Sequence, residues 1–360
     1  MGGQDRRPGA GPISTIHSEF PAPGHAADRS VKSTEVAIFT LQWHLTQACD
    51  LHCRHCYDRS TRSSLSLDKT LAALEEFVDF CARRRVQAQI SFSGGNPLLY
   101  PDFFPLYQAA ARAGCITAIL GNPCGRDVLE RLAAIQRPAF YQVSLEGLAT
   151  HNDWMRQPGH FQHTLDFLSL LRELGIPSRV MLTLTESNLD RVLPLADFLR
   201  DRAERFTFNR LSQIGEGAGL RLPAPDTYRA FLQDYLAAAE NNPVIGLKDN
   251  LLNTVLYEQG RPVFGGCTGY GCGAAFNFLA LLPDGELHAC RKFPSSLGNV
   301  FEDGFDACYE SPQAKAYRRG PAECESCPVQ AVCRGCLAVI SSLGLDVGTD
   351  RDPYCPFKNP

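Results

Sequence analysis

Three cysteines lie within eight residues: Cys49, Cys53 and Cys56 stand as C-x3-C-x2-C. Thiolates are the natural protein ligands of iron–sulfur clusters. A [4Fe–4S] cubane has four irons, so three thiolates from one loop can hold it and leave the fourth iron open to an exchangeable ligand. A zinc knuckle is the competing reading, because structural zinc takes four ligands and His52 or His55 could complete the set.

Of the nine cysteines in the last hundred residues, eight form a second group: Cys267, Cys272, Cys290, Cys324, Cys327, Cys333, Cys336 and Cys355. Cys272 and Cys290 bracket Gly285, the run from Cys324 to Cys336 reads C-x2-C-x5-C-x2-C, and Cys355 closes Asp352-Pro353-Tyr354-Cys355. Eight thiolates divide into two sets of four, which suits two cubanes or two structural zincs. Of the remaining four, Cys81 and Cys115 sit in apolar contexts and read as packing residues. Cys124 follows Asn122-Pro123, and Cys308 stands apart from the clusters.

The chain around these clusters has 360 residues, 15 of them Cys, with 44% hydrophobic and 21% charged residues. No apolar secretory segment opens it, so the thiols are expected in a reducing cytoplasm, where clustered cysteines serve metals or redox chemistry. A net charge of −4 gives no basic field for nucleic acid or anionic membrane. No run of about 18 apolar residues suggests a membrane span.

The elements that must position the first cluster follow from periodicity. Strand-like runs cover 36–45, 88–92, 116–120, 140–145, 179–185 and 205–208. Amphipathic helical patterns fill 67–85, 102–113, 126–135, 163–174 and 189–202, the first with Ser66 as N-cap. This alternation predicts an α/β fold of parallel units with right-handed crossovers, six of which make a partial (β/α)6 TIM-like barrel. A further helix is predicted over 226–240. The expected divisions are a flexible tail (1–34), the barrel (35–215), a connecting helical segment (216–260) and a smaller Cys-rich domain (261–360). The Arg83-Arg84-Arg85 run reads as a solvated helix terminus.

The Cys49–Cys53–Cys56 triad and the turns after it make the chain similar to the radical S-adenosylmethionine (SAM) enzymes. In that family the open iron chelates the methionine end of SAM, and the residue before the third Cys, here His55, packs by the adenine. A Gly-Gly-Glu-Pro turn after the second strand holds the SAM amino group. This chain has Gly94-Gly95-Asn96-Pro97, whose glycines permit close backbone approach and whose Asn96 can accept a hydrogen bond but carries no charge. Ser144-Leu145-Glu146-Gly147 looks like the Ser-Leu-Asp-Gly segment of peptide-modifying members, which assigns Ser144 to SAM contacts. His151-Asn152-Asp153, Arg156, Gly159 and Phe161 fit the same pattern.

The second cysteine group resembles the iron–sulfur SPASM extension of radical SAM peptide maturases, with Arg334-Gly335 between the last two central cysteines where three residues are usual. By family connectivity, Cys267, Cys272, Cys290 and Cys336 would hold one auxiliary [4Fe–4S] cluster, and Cys324, Cys327, Cys333 and Cys355 the other. The resemblance implies three clusters with SAM, and a 5′-deoxyadenosyl radical that takes hydrogen from a ribosomal peptide or protein residue supplied in trans. Oxidative products such as thioether or carbon–carbon crosslinks are expected. A low-potential donor such as flavodoxin or ferredoxin and a separate leader-peptide recognition protein are the expected partners. One alternative is sulfatase-type formylglycine maturation, whose enzymes often carry Asp after the third auxiliary Cys, where Arg291 stands here. Another is a non-catalytic iron–sulfur carrier or zinc-stabilised binding module.

Overall fold

The computed structural model describes residues 37–357, so the tail expected over 1–34 lies outside the described residues. Six strands, β1 (Ile38–His44), β2 (Gln87–Ser93), β3 (Ile116–Leu120), β4 (Tyr141–Ser144), β5 (Ser178–Leu184) and β6 (Arg205–Arg210), alternate with helices. These are α1 (Leu67–Arg84), α2 (Phe103–Arg112), α3 (Arg126–Ile135), α4 (Ala149–Met155), α5 (His160–Glu173) and α6 (Val192–Leu199). Each strand pairs in parallel with the next in sequence. Sequential parallel order is the winding of a β/α barrel rather than of a doubly wound sheet.

The strand sequences explain which face holds the helices. In β1, Phe39, Leu41 and Trp43 are buried, while Thr40 and Gln42 between them are half-buried and line an internal cavity. In β2, Ala88, Ile90 and Phe92 are buried, and Gln89 and Ser91 line the cavity. Side chains alternate across a strand, so an apolar set meets the helices and a polar set faces the lumen. Phe92 packs edge-on against Phe103 of α2, and Phe103 stacks on Tyr107.

After β6 come α7 (Pro225–Asn241) and α8 (Leu252–Glu258), then β7 (Phe278–Leu281), β8 (Glu286–His288) and β9 (Ser296–Asn299). β7 pairs in parallel with β1, and β8 and β9 follow antiparallel. The described strands thus form one sheet, ordered β6-β5-β4-β3-β2-β1-β7-β8-β9, which runs on past residue 261 into the Cys-rich region. Helices α9 (Gly304–Glu310), α10 (Pro312–Arg319) and α11 (Leu337–Ser342) complete that region.

Several local expectations shift. Ser66 occupies the N-cap of α1, but its side chain makes no capping hydrogen bond. The segment 149–155 forms α4, a helix the sequence reading did not contain. Helix α5 starts at His160 rather than 163, because Asp153 accepts hydrogen bonds from the Gly159 and Phe161 amides and so caps it from outside. Arg83 and Arg84 are not a merely solvated terminus: both pair with Asp306 of α9, and Arg84 also lies 4.0 Å over the Phe80 ring.

Candidate active site

The first cysteine loop leaves the C-terminal end of β1, the end at which barrel enzymes gather their chemistry. Cys49, Cys53 and Cys56 lie within electrostatic reach of one another. Burial pushes the thiols of Cys53 and Cys56 upward, opposed at Cys53 by Arg156 and at Cys56 by the Asp58 backbone and by Arg59. Such thiols hold their protons until a metal displaces them.

The Gly94-Gly95-Asn96-Pro97 turn packs directly on this loop. Gly95 N donates to Thr46 O and Asn96 N to Ala48 O, each at 2.8 Å. A Cβ on Gly95 would lie 2.2 Å from Ala48 O, and one on Gly94, whose φ is +133°, would lie 2.4 Å from Thr46 O. The close approach these glycines permit is therefore first to the chain's own cysteine loop. Asn96 is buried; its Oδ1 accepts from Leu98 N at 3.3 Å and its Nδ2 donates to Asp50 at 3.1 Å. Pro97 opens the short turn that follows.

His55 is buried, and its Nε2 lies 3.2 Å from Glu146 Oε1 just past β4. Glu146 is fully buried and also binds Arg156 at 2.6 Å and accepts from Thr183 N at 2.8 Å. Burial alone would raise the Glu146 carboxyl; His55 and Arg156 outweigh it and hold it far below the usual range. Arg156 in turn reaches Cys53 Sγ at 3.5 Å. Ser144, half-buried, ends β4 two residues before Glu146. A Glu146–Arg156 pair thus fixes the middle of the cysteine loop, a role that the pattern match at 146 and 156 did not reveal.

The later cysteines lie in two neighbourhoods. Cys272 lies within electrostatic reach of Cys267 and Cys290, Cys336 of Cys272, and all four line the internal cavity. Cys324 lies within reach of Cys327 and Cys355, and Cys333 of Cys355. Arg334 and Gly335 take φ of 57° and 63°, a tight left-handed turn that brings Cys333 and Cys336 back toward the chain. Asp352 organises both groups: it accepts from Cys336 N at 2.9 Å, and its carbonyl accepts from Cys355 N at 2.8 Å. Asp352 also binds both terminal nitrogens of the buried Arg210, at 2.9 and 2.6 Å.

Among the described residues, no three His, Cys, Asp or Glu side chains converge tightly enough for one metal ion. Cys124 is unsuited to reaction as a thiolate, since burial pushes its thiol up to about 12. Arg291, next to Cys290, pairs with Asp58, two residues past Cys56, so a largely buried ion pair joins the first cysteine loop to the later cysteine group.

The cavity of about 1150 Å³ occupies the barrel lumen, from Tyr57 beside Cys56 to Cys267, Cys272, Cys290 and Cys336. Cysteine groups of this kind fit iron–sulfur clusters, and the lumen reaches from Tyr57, next to Cys56, to the later group of four.

Comparison with known proteins agrees with this geometry. The sequence matches the Radical SAM superfamily over residues 43–199 and the iron–sulfur cluster-binding domain SPASM over 272–337. It is 26% identical over 339 residues to the antilisterial bacteriocin subtilosin biosynthesis protein AlbA of Bacillus subtilis, covering 89% of this chain and 68% of that protein. It is 26% identical over 341 residues to the AdoMet-dependent heme synthase of Methanosarcina barkeri, covering 88% and 96%. The crystal structure of Streptococcus suis SuiB bound to S-adenosylmethionine aligns with a TM-score of 0.67 at 20% identity, covering 89% of this chain and 78% of that one. The chain thus carries a radical SAM domain, which contains the first cysteine loop and the glycine turn, and a SPASM domain, which contains Cys272 to Cys336.

Proposed function

We propose that this protein is a radical SAM peptide maturase in which Cys49, Cys53 and Cys56 hold the SAM-binding cluster and the eight later cysteines hold two auxiliary clusters. Bound there, cluster and SAM would supply a 5′-deoxyadenosyl radical for hydrogen abstraction from a peptide or protein residue. His55, the turn from Gly94 to Pro97, and Ser144 would contact SAM. The observation that carries the reading is the lumen of about 1150 Å³ between the first cysteine loop and the auxiliary thiols. A substrate segment in that lumen would lie beside Cys267, Cys272, Cys290 and Cys336, within reach of an electron acceptor held there. That placement favours oxidative products such as thioether or carbon–carbon crosslinks.

The chain's own residues serve this reaction by holding it in place. Glu146 and Arg156 fix the cysteine loop, and the polar side chains Gln42, Gln89, Ser91 and Gln142 line the lumen where substrate polar groups need partners. Formylglycine formation is disfavoured because the position after Cys290 offers a guanidinium paired with Asp58 and no carboxylate. A flavodoxin or ferredoxin would supply the electron, and a separate protein would present the leader peptide.

The test is anaerobic incubation of reconstituted protein with SAM, reductant and candidate precursor peptides encoded beside the gene. Formation of 5′-deoxyadenosine with loss of two hydrogens from a peptide is the expected result. Formylglycine in a sulfatase-motif peptide, with no crosslink in any precursor, would overturn the assignment.

A further inference from the structure

The amino group of SAM that would chelate the open iron keeps N–H donors, polarised by the metal, and these call for an anionic acceptor. Four carboxylates stand around the first cysteine loop, and one of them, Glu216, whose amide donates to Cys56 O, pairs with Arg59. Glu146 is committed to Arg156 and His55, and Asp58 to Arg291, Gln47 and Ser60. Asp50, directly after Cys49, is exposed and enters no ion pair among the described residues. Its position is nevertheless built. Asn96, three residues past β2, and Asn122, two residues past β3, both aim their amide nitrogens at Asp50 Oδ1, at 3.1 and 2.5 Å. Asn122 is itself held by Tyr141, whose hydroxyl donates to its carbonyl at 2.7 Å, and its amide nitrogen stands 3.6 Å from Cys49 Sγ. Two amides therefore occupy one carboxylate oxygen and leave Oδ2 without a hydrogen bond among the described residues.

We propose that Asp50 supplies the negative charge that receives the SAM amino group in this chain, with Asn96 and Asn122 as the residues that position it. Asn96 faces Asp50 with its donor and Leu98 N with its acceptor, so it serves the carboxylate rather than replacing it. The inference rests on the SAM-binding reading above.

The test compares the affinity of reconstituted protein for SAM and for the analogue lacking only the α-amino group, by anaerobic calorimetry with the cluster oxidised. The ratio of the two affinities isolates the amino group. In Asp50→Asn that ratio is expected to fall about tenfold or more, as for loss of a charge-assisted contact. In Asn96→Ser, which keeps an oxygen able to cap Leu98 N but withdraws one of the two amides that position Asp50, it is expected to fall by about threefold and well short of the Asp50→Asn loss. A ratio that survives Asp50→Asn, or collapses in Asn96→Ser, overturns the proposal. The Asn96→Ser arm decides even if Asp50→Asn fails to take up iron, because Asn96 does not adjoin a cysteine. Failure of the wild-type protein to bind SAM at all would instead refute the underlying SAM-site reading.

Discussion

Glu146 is fully buried, yet it is charged, because Arg156, His55 and the Thr183 amide surround it. Removing one partner of a buried pair leaves an uncompensated charge, which costs about 3–5 kcal/mol. Glu146→Ala should lower stability by about that amount in anaerobic chemical denaturation; a loss below about 1 kcal/mol would show that the pair is not what holds the loop. Histidines set the acid response. Burial, with Arg291 acting on His44 and Arg156 on His160, lowers their pKa values to about 3 and about 4. In the unfolded chain both titrate near 6.5, so between about pH 6.5 and those values the unfolded state binds more protons. Stability is fully present above about pH 6.5 and falls as acid is added. His160→Gln should flatten the fall of the thermal midpoint between about pH 6.5 and 4, and an unchanged slope would contradict this assignment. At this scale the cysteines were legible because their chemistry is written in type and spacing. Asp50 with Asn122 was not, since the two lie 72 residues apart and meet only because successive strand ends adjoin.

The alternation of strands and helices was legible in the period-2 burial of β1 and β2, which puts Phe39, Leu41 and Trp43 on one side and Thr40 and Gln42 on the other. Helix α4 was not legible, because seven residues carry too little apolar periodicity to stand out and the segment is held partly through Asn152, which accepts from Glu146 N. Among the connecting elements, the turn at Gly94 and Gly95 makes the sharpest claim. A methyl group on Gly95 would meet backbone oxygen at 2.2 Å, with no flexible side chain to yield. Gly95→Ala should separate the turn from the Thr46–Ala48 backbone and cost the first cluster, about 4 Fe per chain, while the iron at the C-terminal cysteines stays. Full iron content in that variant would mean that the loop tolerates the displacement.

At the scale of the whole molecule, the sheet and one buried arginine join the barrel to the Cys-rich region. β7 continues the barrel sheet beside β1, with Thr40 opposite Phe278; such pairing over 238 positions leaves no local trace in sequence. Arg210, at the end of β6, binds Asp249 and Asp352, and Asp352 carries the amide of Cys336. Asp352→Ala should therefore destabilise the protein by about 3–5 kcal/mol and lower its iron content together, read by denaturation and metal analysis of the same preparation. Loss of stability with all iron retained would separate the fold from the clusters. The central claim is that eleven of the 15 cysteines serve three iron–sulfur centres, and the most direct measurement is iron, sulfide and zinc per chain after anaerobic reconstitution. Three cubanes predict about 12 Fe and about 12 sulfides with negligible zinc. About 4 Fe with about 2 Zn would contradict the auxiliary clusters, and with them the electron route that oxidative crosslinking requires.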